Sequence, residues 1–198
     1  MCGRACSARS GAGMFSIKPT LALFAVTLAA AAILGAVYEI TEGPIAEQKT
    51  HAEVEAVSHL LPAANETRAL ELRSEDSSVT GVTECFGGGG LVGYAVTAAP
   101  RGYGGEIRMM VALGLDGAVE GVLVLGHSET PGLGSQAAAP EFLLKYEGVK
   151  SPLTVVKRKA GEGEVEAIAS VTISVSAITA GVNDALKYYG EFLRGGMN

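Results

Sequence analysis

Residues 105–129 read GEIRMMVALGLDGAVEGVLVLGHSE, and the fold turns on how this stretch is read. In its first half Ile107, Met109, Val111 and Leu113 fall at every second position, the period of a β-strand that buries one face. In its second half Val119, Leu123 and Leu125 supply the apolar face of another strand. Between the halves stands Asp116-Gly117, a pair that turns the chain tightly and so joins antiparallel neighbours. Upstream, LVGYAVTA (91–98) has the same character and is separated from the first half by the glycine-rich joint Gly102 to Gly105. The pattern predicts an antiparallel meander of about three strands, each able to bury a core side.

Downstream, a helix is expected around Pro140 to Tyr146, then a strand within SPLTVVKRK (151–159) and a turn at Gly161 to Gly163. The clearest helix comes last, where Val175, Ile178, Val182, Leu186, Tyr189 and Leu193 form one continuous apolar stripe at helical spacing. Upstream of the meander, Gly87 to Gly90 is a run of glycines. No lysine and no helical pattern follow it, as a phosphate-binding P-loop requires, so it reads as a flexible turn. Polar residues from Asn65 to Thr80 interrupt any periodicity and read as a linker. Before them, Thr41 to Leu61 reads as a helix with Ile45, Val54, Val57, Leu60 and Leu61 as its apolar set, stopped by Pro62.

The chain has 198 residues, 48% of them hydrophobic, with a mean hydropathy of +0.31. That excess has one address. Pro19 to Tyr38 carries no charge, and about 20 residues at about 1.5 Å each cross a hydrocarbon core of roughly 30 Å. A cleaved signal peptide is the competing reading, but the run is longer than the roughly 7–15 residues of a signal core and continues past the alanines that would be cut. Arg4, Arg9 and Lys18 precede the run and Glu39, Glu42 and Glu47 follow it, so the N-terminus is expected in the cytoplasm and the rest outside. The exported part holds 12 of the 15 basic residues and all 21 acidic ones, a formal net charge of −9, which argues against nucleic acid and anionic lipid as partners. Cys2 and Cys6 lie before the run and only Cys85 after it, so the exported part cannot form an intramolecular disulfide.

Two stretches carry candidate chemistry. In EAIASVTISVSAITAG (166–181), Ser170, Thr172, Ser174 and Ser176 alternate with Val171, Ile173 and Val175, and the helical stripe begins at Val175. The alternation predicts a strand-like approach ending near Val171 that hands over to the helix at Thr172. A helix N-terminus offers unpaired amides and a positive dipole end, a natural seat for a phosphate, although any one of these hydroxyls also serves as a plain N-cap. The second stretch is HSETPGLGSQ (127–136), directly after the third strand. His127 and Glu129 stand there as a candidate acid/base pair or as ordinary surface residues. Pro131, Gly132 and Gly134 specify a tight loop whose backbone approaches something closely.

Together the HSETPGLG loop, the preceding GYGGEI (102–107) and the threonine before the last helix resemble the FMN-binding domain of membrane-anchored electron-transport subunits. The nearest resemblance is to the G subunit of Rnf-type electron transport complexes, with the C subunit of the sodium-translocating NADH:quinone reductase as a relative. In that family a flavin transferase links FMN from FAD, with a divalent metal, through its phosphate to a threonine in the motif D-x-x-S/T-G-A-T. The matching positions here run from Glu166 to Thr172, with Ala169-Ser170-Val171 in place of the S/T-G-A step. The resemblance implies covalent FMN on Thr172, Ser170 and Ser174 as phosphate hydrogen-bond donors, and Glu129, Thr130, Leu133 and Gly134 as the loop facing the flavin. It departs from the family in placing side chains at Ser170 and Val171, where a transferase would read glycine and alanine.

The expectation is therefore an α+β fold, a mainly antiparallel sheet with packed helices after one N-terminal transmembrane helix. Residues 1–18 form a cytoplasmic segment, 19–40 the membrane span, 41–80 a juxtamembrane helix and linker, and 81–198 the extracytoplasmic FMN-binding domain. By resemblance the chain relays electrons among other membrane subunits of a complex coupled to ion movement and is no catalyst alone. A scaffold or sensory module that keeps the fold without flavin stays open, as does a standalone exported flavoprotein fed by another membrane dehydrogenase.

Overall fold

The computed structural model describes residues 17–73 and 77–194. The chain divides into one unit ending at Gln48 and a second beginning at Lys49. Helix α1 (Ile17–Leu60) runs past that boundary, and its part in the first unit contains Pro19–Ala36, a stretch of mean hydropathy 2.0 with none of it buried, long and apolar enough to cross a membrane. The helix expected from Thr41 belongs to this same element rather than standing apart.

The second unit holds a five-stranded antiparallel sheet, β1 (Glu66–Leu70), β2 (Val79–Gly87), β3 (Gly90–Ala98), β4 (Ile107–Gly114) and β5 (Val119–His127), in that spatial order. The three expected strands are β3 to β5, and two more precede them. β1 lies inside the polar stretch expected to be linker. It is an edge strand, almost wholly exposed, so nothing forces an apolar alternation on it. β2 is hidden from a period-based reading by irregularities in its pairing at Val79/Gly81 and Cys85/Phe86. The glycine run is the β2–β3 hairpin turn: Gly88 and Gly89 take φ of 61° and 87°, positive values that a two-residue turn of this hand demands at both positions.

Both faces of the sheet are covered. Ile107, Met109, Val111 and Leu113 join Val96 and Ala98 beneath the stripe of helix α3 (Thr172–Tyr188). Met110 and Ala112, pointing the other way, join Ala95 and Cys85 against Ala56 and Val57 near the end of α1 and Leu61 just after it. Burying each large aliphatic side chain contributes about 1.5–3 kcal/mol, so the double cover is the main source of cohesion. In β5 the expected single face is split. Ala112 pairs with Gly121 but Leu113 with Val119, so Glu120 is an extra, bulged residue. Val119 therefore shares the α3 side with Val122 and Val124, whereas Leu123 and Leu125 lie on the α1 side.

After β5 come a short helix α2 (Pro140–Leu143), continued as a 3-10 turn to Tyr146, and a parallel pair β6 (Thr154–Val156) and β7 (Glu164–Glu166). The strand expected to reach Val171 stops at Glu166, and the chain turns through a left-handed Ser170 at φ 67° before α3 begins at Thr172. The six stripe residues from Val175 to Leu193 are all buried.

Candidate functional site

Helix α3 starts without a side-chain cap: its N-cap residue is Val171, and backbone bonding into the helix begins with Val175 N–H to Val171 C=O at 3.1 Å. Among the described residues, the amides of Thr172, Ile173 and Ser174 thus have no backbone acceptor. They constitute the positive end of a 17-residue helix. Thr172, the first helical residue, is half-buried beside them.

The loop after β5 is fixed to this helix end by one carboxylate. Glu129 is 6% exposed; its Oε2 accepts the Ser174 hydroxyl at 2.7 Å and its Oε1 accepts Gly104 N–H at 3.1 Å. It therefore joins three segments: the β3–β4 connection, the β5 loop and the first turn of α3. Two glycines make room for it. A Cβ on Gly102 would lie 2.2 Å from Oε1, and one on Gly134 would lie 2.2 Å from Oε2 and 2.9 Å from the Glu129 Cβ.

These segments border a half-open cavity of about 410 Å³ lined by Tyr103, Glu129, Thr130, Leu133, Gly134 and Ser170 to Ser174. All seven residues that the sequence singles out, Glu129, Thr130, Leu133, Gly134, Ser170, Thr172 and Ser174, border it. Ser174 differs in role from the expectation of a phosphate donor, because its hydroxyl proton goes to Glu129. Sequence reasoning misses the buried Val171 and also Tyr103 and Ile173, which are 74% and 56% exposed at the rim. Tyr103 sits inside the GYGGEI segment, while alternation gives Ile173 the inward face of a strand, and a helix instead sends it away from Val171 and Val175. His127 and Glu129 do not form a side-chain pair: Glu129 donates its backbone N–H to His127 Nδ1 at 3.2 Å, and His127 is exposed.

Other candidates fall away on chemistry. A larger cavity of about 520 Å³ is lined by Arg73 but also by the carboxylates of Glu71, Glu84 and Glu191, with no uncapped helix start. Cys85 is fully buried, and that burial pushes its thiol up to about 11, so it is no nucleophile. Cys2 and Cys6 lie outside the described residues.

Residues 102–187, which contain every wall of the smaller cavity, match the FMN-binding domain family. The chain is 31% identical over 189 residues to the G subunit of the Na(+)-translocating ferredoxin:NAD(+) oxidoreductase complex of Acetobacterium woodii, spanning 87% of this chain and 90% of that one. It is 32% identical over 169 residues to the G subunit of the proton-translocating ferredoxin:NAD(+) oxidoreductase complex of Clostridium ljungdahlii, spanning 82% and 85%. The chain belongs to the G-subunit family of Rnf-type ion-translocating oxidoreductase complexes. As a member of that family it is one part of a multi-subunit oxidoreductase. Its fold is shared with the crystal structure of the C subunit of the Na(+)-translocating NADH-quinone reductase from Parabacteroides distasonis, at a TM-score of 0.52 and 18% identity over 66% of this chain and 78% of that one.

Proposed function

We propose that this G subunit is a membrane-anchored electron relay carrying FMN as a phosphoester on Thr172. The observation that carries the reading is the uncapped start of α3. It presents free amides and a half-buried threonine hydroxyl to a cavity whose volume falls in the roughly 300–1,000 Å³ range of small-molecule sites. A phosphodiester fits there because the helix amides and dipole favour its negative charge. In the attachment step the Thr172 hydroxyl oxygen bonds to the FMN-side phosphorus of FAD, the pyrophosphate P–O bond breaks, AMP leaves, and the transferase takes the hydroxyl proton. Bound FMN supplies the redox chemistry, taking up and passing on electrons.

The chain's own residues do the rest. Ser170 is exposed beside Thr172 and offers its hydroxyl to the phosphate. Tyr103, Leu133 and Ile173 give the cavity an apolar rim suited to an aromatic ring. Glu129, Thr130 and Gly134 form the loop wall, with Ser174 holding Glu129 in place. Ser170, standing where the family motif has glycine, keeps a left-handed backbone, which favours a retained acceptor over a scaffold that has lost its flavin. The apolar helix anchors the chain in the inner membrane with the N-terminus cytoplasmic, and the flavin domain lies outside among the other membrane subunits of the complex. Through that complex, electron flow between ferredoxin and NAD is coupled to ion movement.

The test is co-expression with and without a flavin transferase, followed by a denaturing gel viewed for flavin fluorescence. The wild-type band is expected to fluoresce only with the transferase, and Thr172→Ala to be dark. A dark wild-type band beside an active transferase sinks the covalent reading.

A further inference from the structure

The α3 cavity has a single charged wall. Among the described residues that line it, Glu129 alone carries a formal charge, and no lysine, arginine or histidine borders it. The ion pairs among the described residues are Arg108–Glu53, Lys150–Asp116 and Arg158–Glu164, so none involves Glu129. Its two oxygens accept from Ser174 O–H and Gly104 N–H, neutral dipoles that orient the carboxylate and offset only part of its charge. A fixed negative charge with little water around it opposes the arrival of electrons in whatever fills the cavity. The positive end of α3 acts in the opposite sense, but a phosphodiester at Thr172 brings its own negative charge to that end.

We infer that Glu129 sets the redox bias of the site: its buried carboxylate, unpaired with any cation among the described residues, lowers the reduction potential of the flavin in this cavity and makes it a stronger electron donor. The inference rests on the flavin reading above. The charge is held in place by its two donors, and the glycines at 102 and 134 leave room for it, since a Cβ at either position would lie 2.2 Å from one of its oxygens. A unit charge about 12 Å away, acting through an effective dielectric constant of about 20, changes an equilibrium roughly tenfold. A flavin within the cavity is expected to respond by at least that much.

The experiment measures the potential of the transferase-loaded full chain by dye-equilibrated spectrophotometry, in wild type, Glu129→Gln and Ser174→Ala. Glu129→Gln removes the charge and keeps the shape, and it is expected to raise the reduced-to-oxidised ratio at fixed ambient potential by about tenfold or more. Ser174→Ala keeps the charge and removes a donor that offsets it, so the ratio is expected to fall. Opposite signs are the signature of the carboxylate's field, whereas mere loosening of the wall would move both variants the same way. Should Glu129→Gln take up no flavin, Ser174→Ala decides alone: a lower ratio supports the inference, an unchanged or higher one overturns it. An unmoved Glu129→Gln also overturns it while leaving the flavin reading intact. A wild-type chain that carries no flavin sinks that reading and this inference with it.

Discussion

Ser170 holds φ at 67°, the left-handed region, just before the proposed acceptor. That conformation costs an L-residue about 1–2 kcal/mol, more than the roughly 0.5–1 kcal/mol that glycine loses through its freer unfolded state. Ser170→Gly is therefore expected to stabilise the fold by about 0.5–1 kcal/mol, read as a higher urea midpoint at unchanged slope. It should also raise flavin attachment to Thr172 by clearing a side chain from the transferase's approach. A lower midpoint would contradict the strain argument. Nothing in the alternation of SVTISVS marks Ser170 as the strained member, because four hydroxyls at even spacing look alike until the backbone is seen. Cys85 gives a second prediction at this scale. Burial raises its thiol from 9.0 to about 11, so between those values the unfolded chain releases a proton that the folded chain keeps. Stability is thus expected to hold below about pH 9 and to decline from there toward about pH 11. Tyr146, pushed up to about 12 by its own burial, adds to the decline at the upper end. Cys85→Ala should flatten the limb in urea titrations compared at about pH 8 and about pH 10.5; an unchanged slope would assign the decline elsewhere.

Between elements, the buried contact of Tyr146 with Thr179 ties the turn after α2 to the core side of α3 at 2.8 Å. Its direction follows from proton counting. Thr179 already donates its one hydroxyl proton to Val175 C=O at 2.9 Å, so Tyr146 must donate to Thr179 Oγ1. Tyr146→Phe then leaves no stranded donor and should cost about 0.5–1.5 kcal/mol, the net worth of one hydrogen bond. Thr179→Val strands the Tyr146 hydroxyl in the core and should cost more, about 1–3 kcal/mol, with the order checked by thermal or urea melts. Equal losses would mean that the hydroxyl finds another partner. Legibility at this scale follows range. The α3 stripe and β4 can be read in advance because their apolar periods are local and unbroken. The bulge at Glu120 cannot, since it depends on the pairing of Leu113 with Val119 across a turn. The seven cavity residues are legible as two motifs, yet the bond that joins those motifs, Ser174 to Glu129, spans 45 positions and leaves no local pattern.

At the scale of the whole chain, the question is where the folded unit begins. Periodicity alone puts its start at residue 81, because the polar stretch before it has no period. Two observations move the start toward the N-terminus. β1 (Glu66–Leu70) pairs along β2 from Phe86 to Val82 and completes the sheet. Ala56, Val57 and Leu61 cover Cys85, Ala95, Met110 and Ala112, a face that would otherwise meet water. The compact unit accordingly begins at Lys49, beyond the apolar stretch Pro19–Ala36. A chain of residues 49–198 is expected to be recovered in the soluble fraction and to unfold in one cooperative transition. The full chain should partition with membranes, because a span of mean hydropathy 2.0 is released into lipid rather than water. A chain of residues 81–198 loses β1, the first two residues of β2 and the whole α1-side cover. It exposes an apolar sheet face together with an unpaired edge, so it should aggregate or melt without cooperativity. Transferase loading separates these outcomes further. Residues 49–198 retain every wall of the α3 cavity and should accept flavin at Thr172 when exported with a cleavable leader, whereas residues 81–198 should label weakly because the sheet beneath α3 has lost its support. If residues 81–198 prove as stable and as well labelled as 49–198, then the end of α1 is not part of the folding unit, and its contacts with the sheet are only incidental.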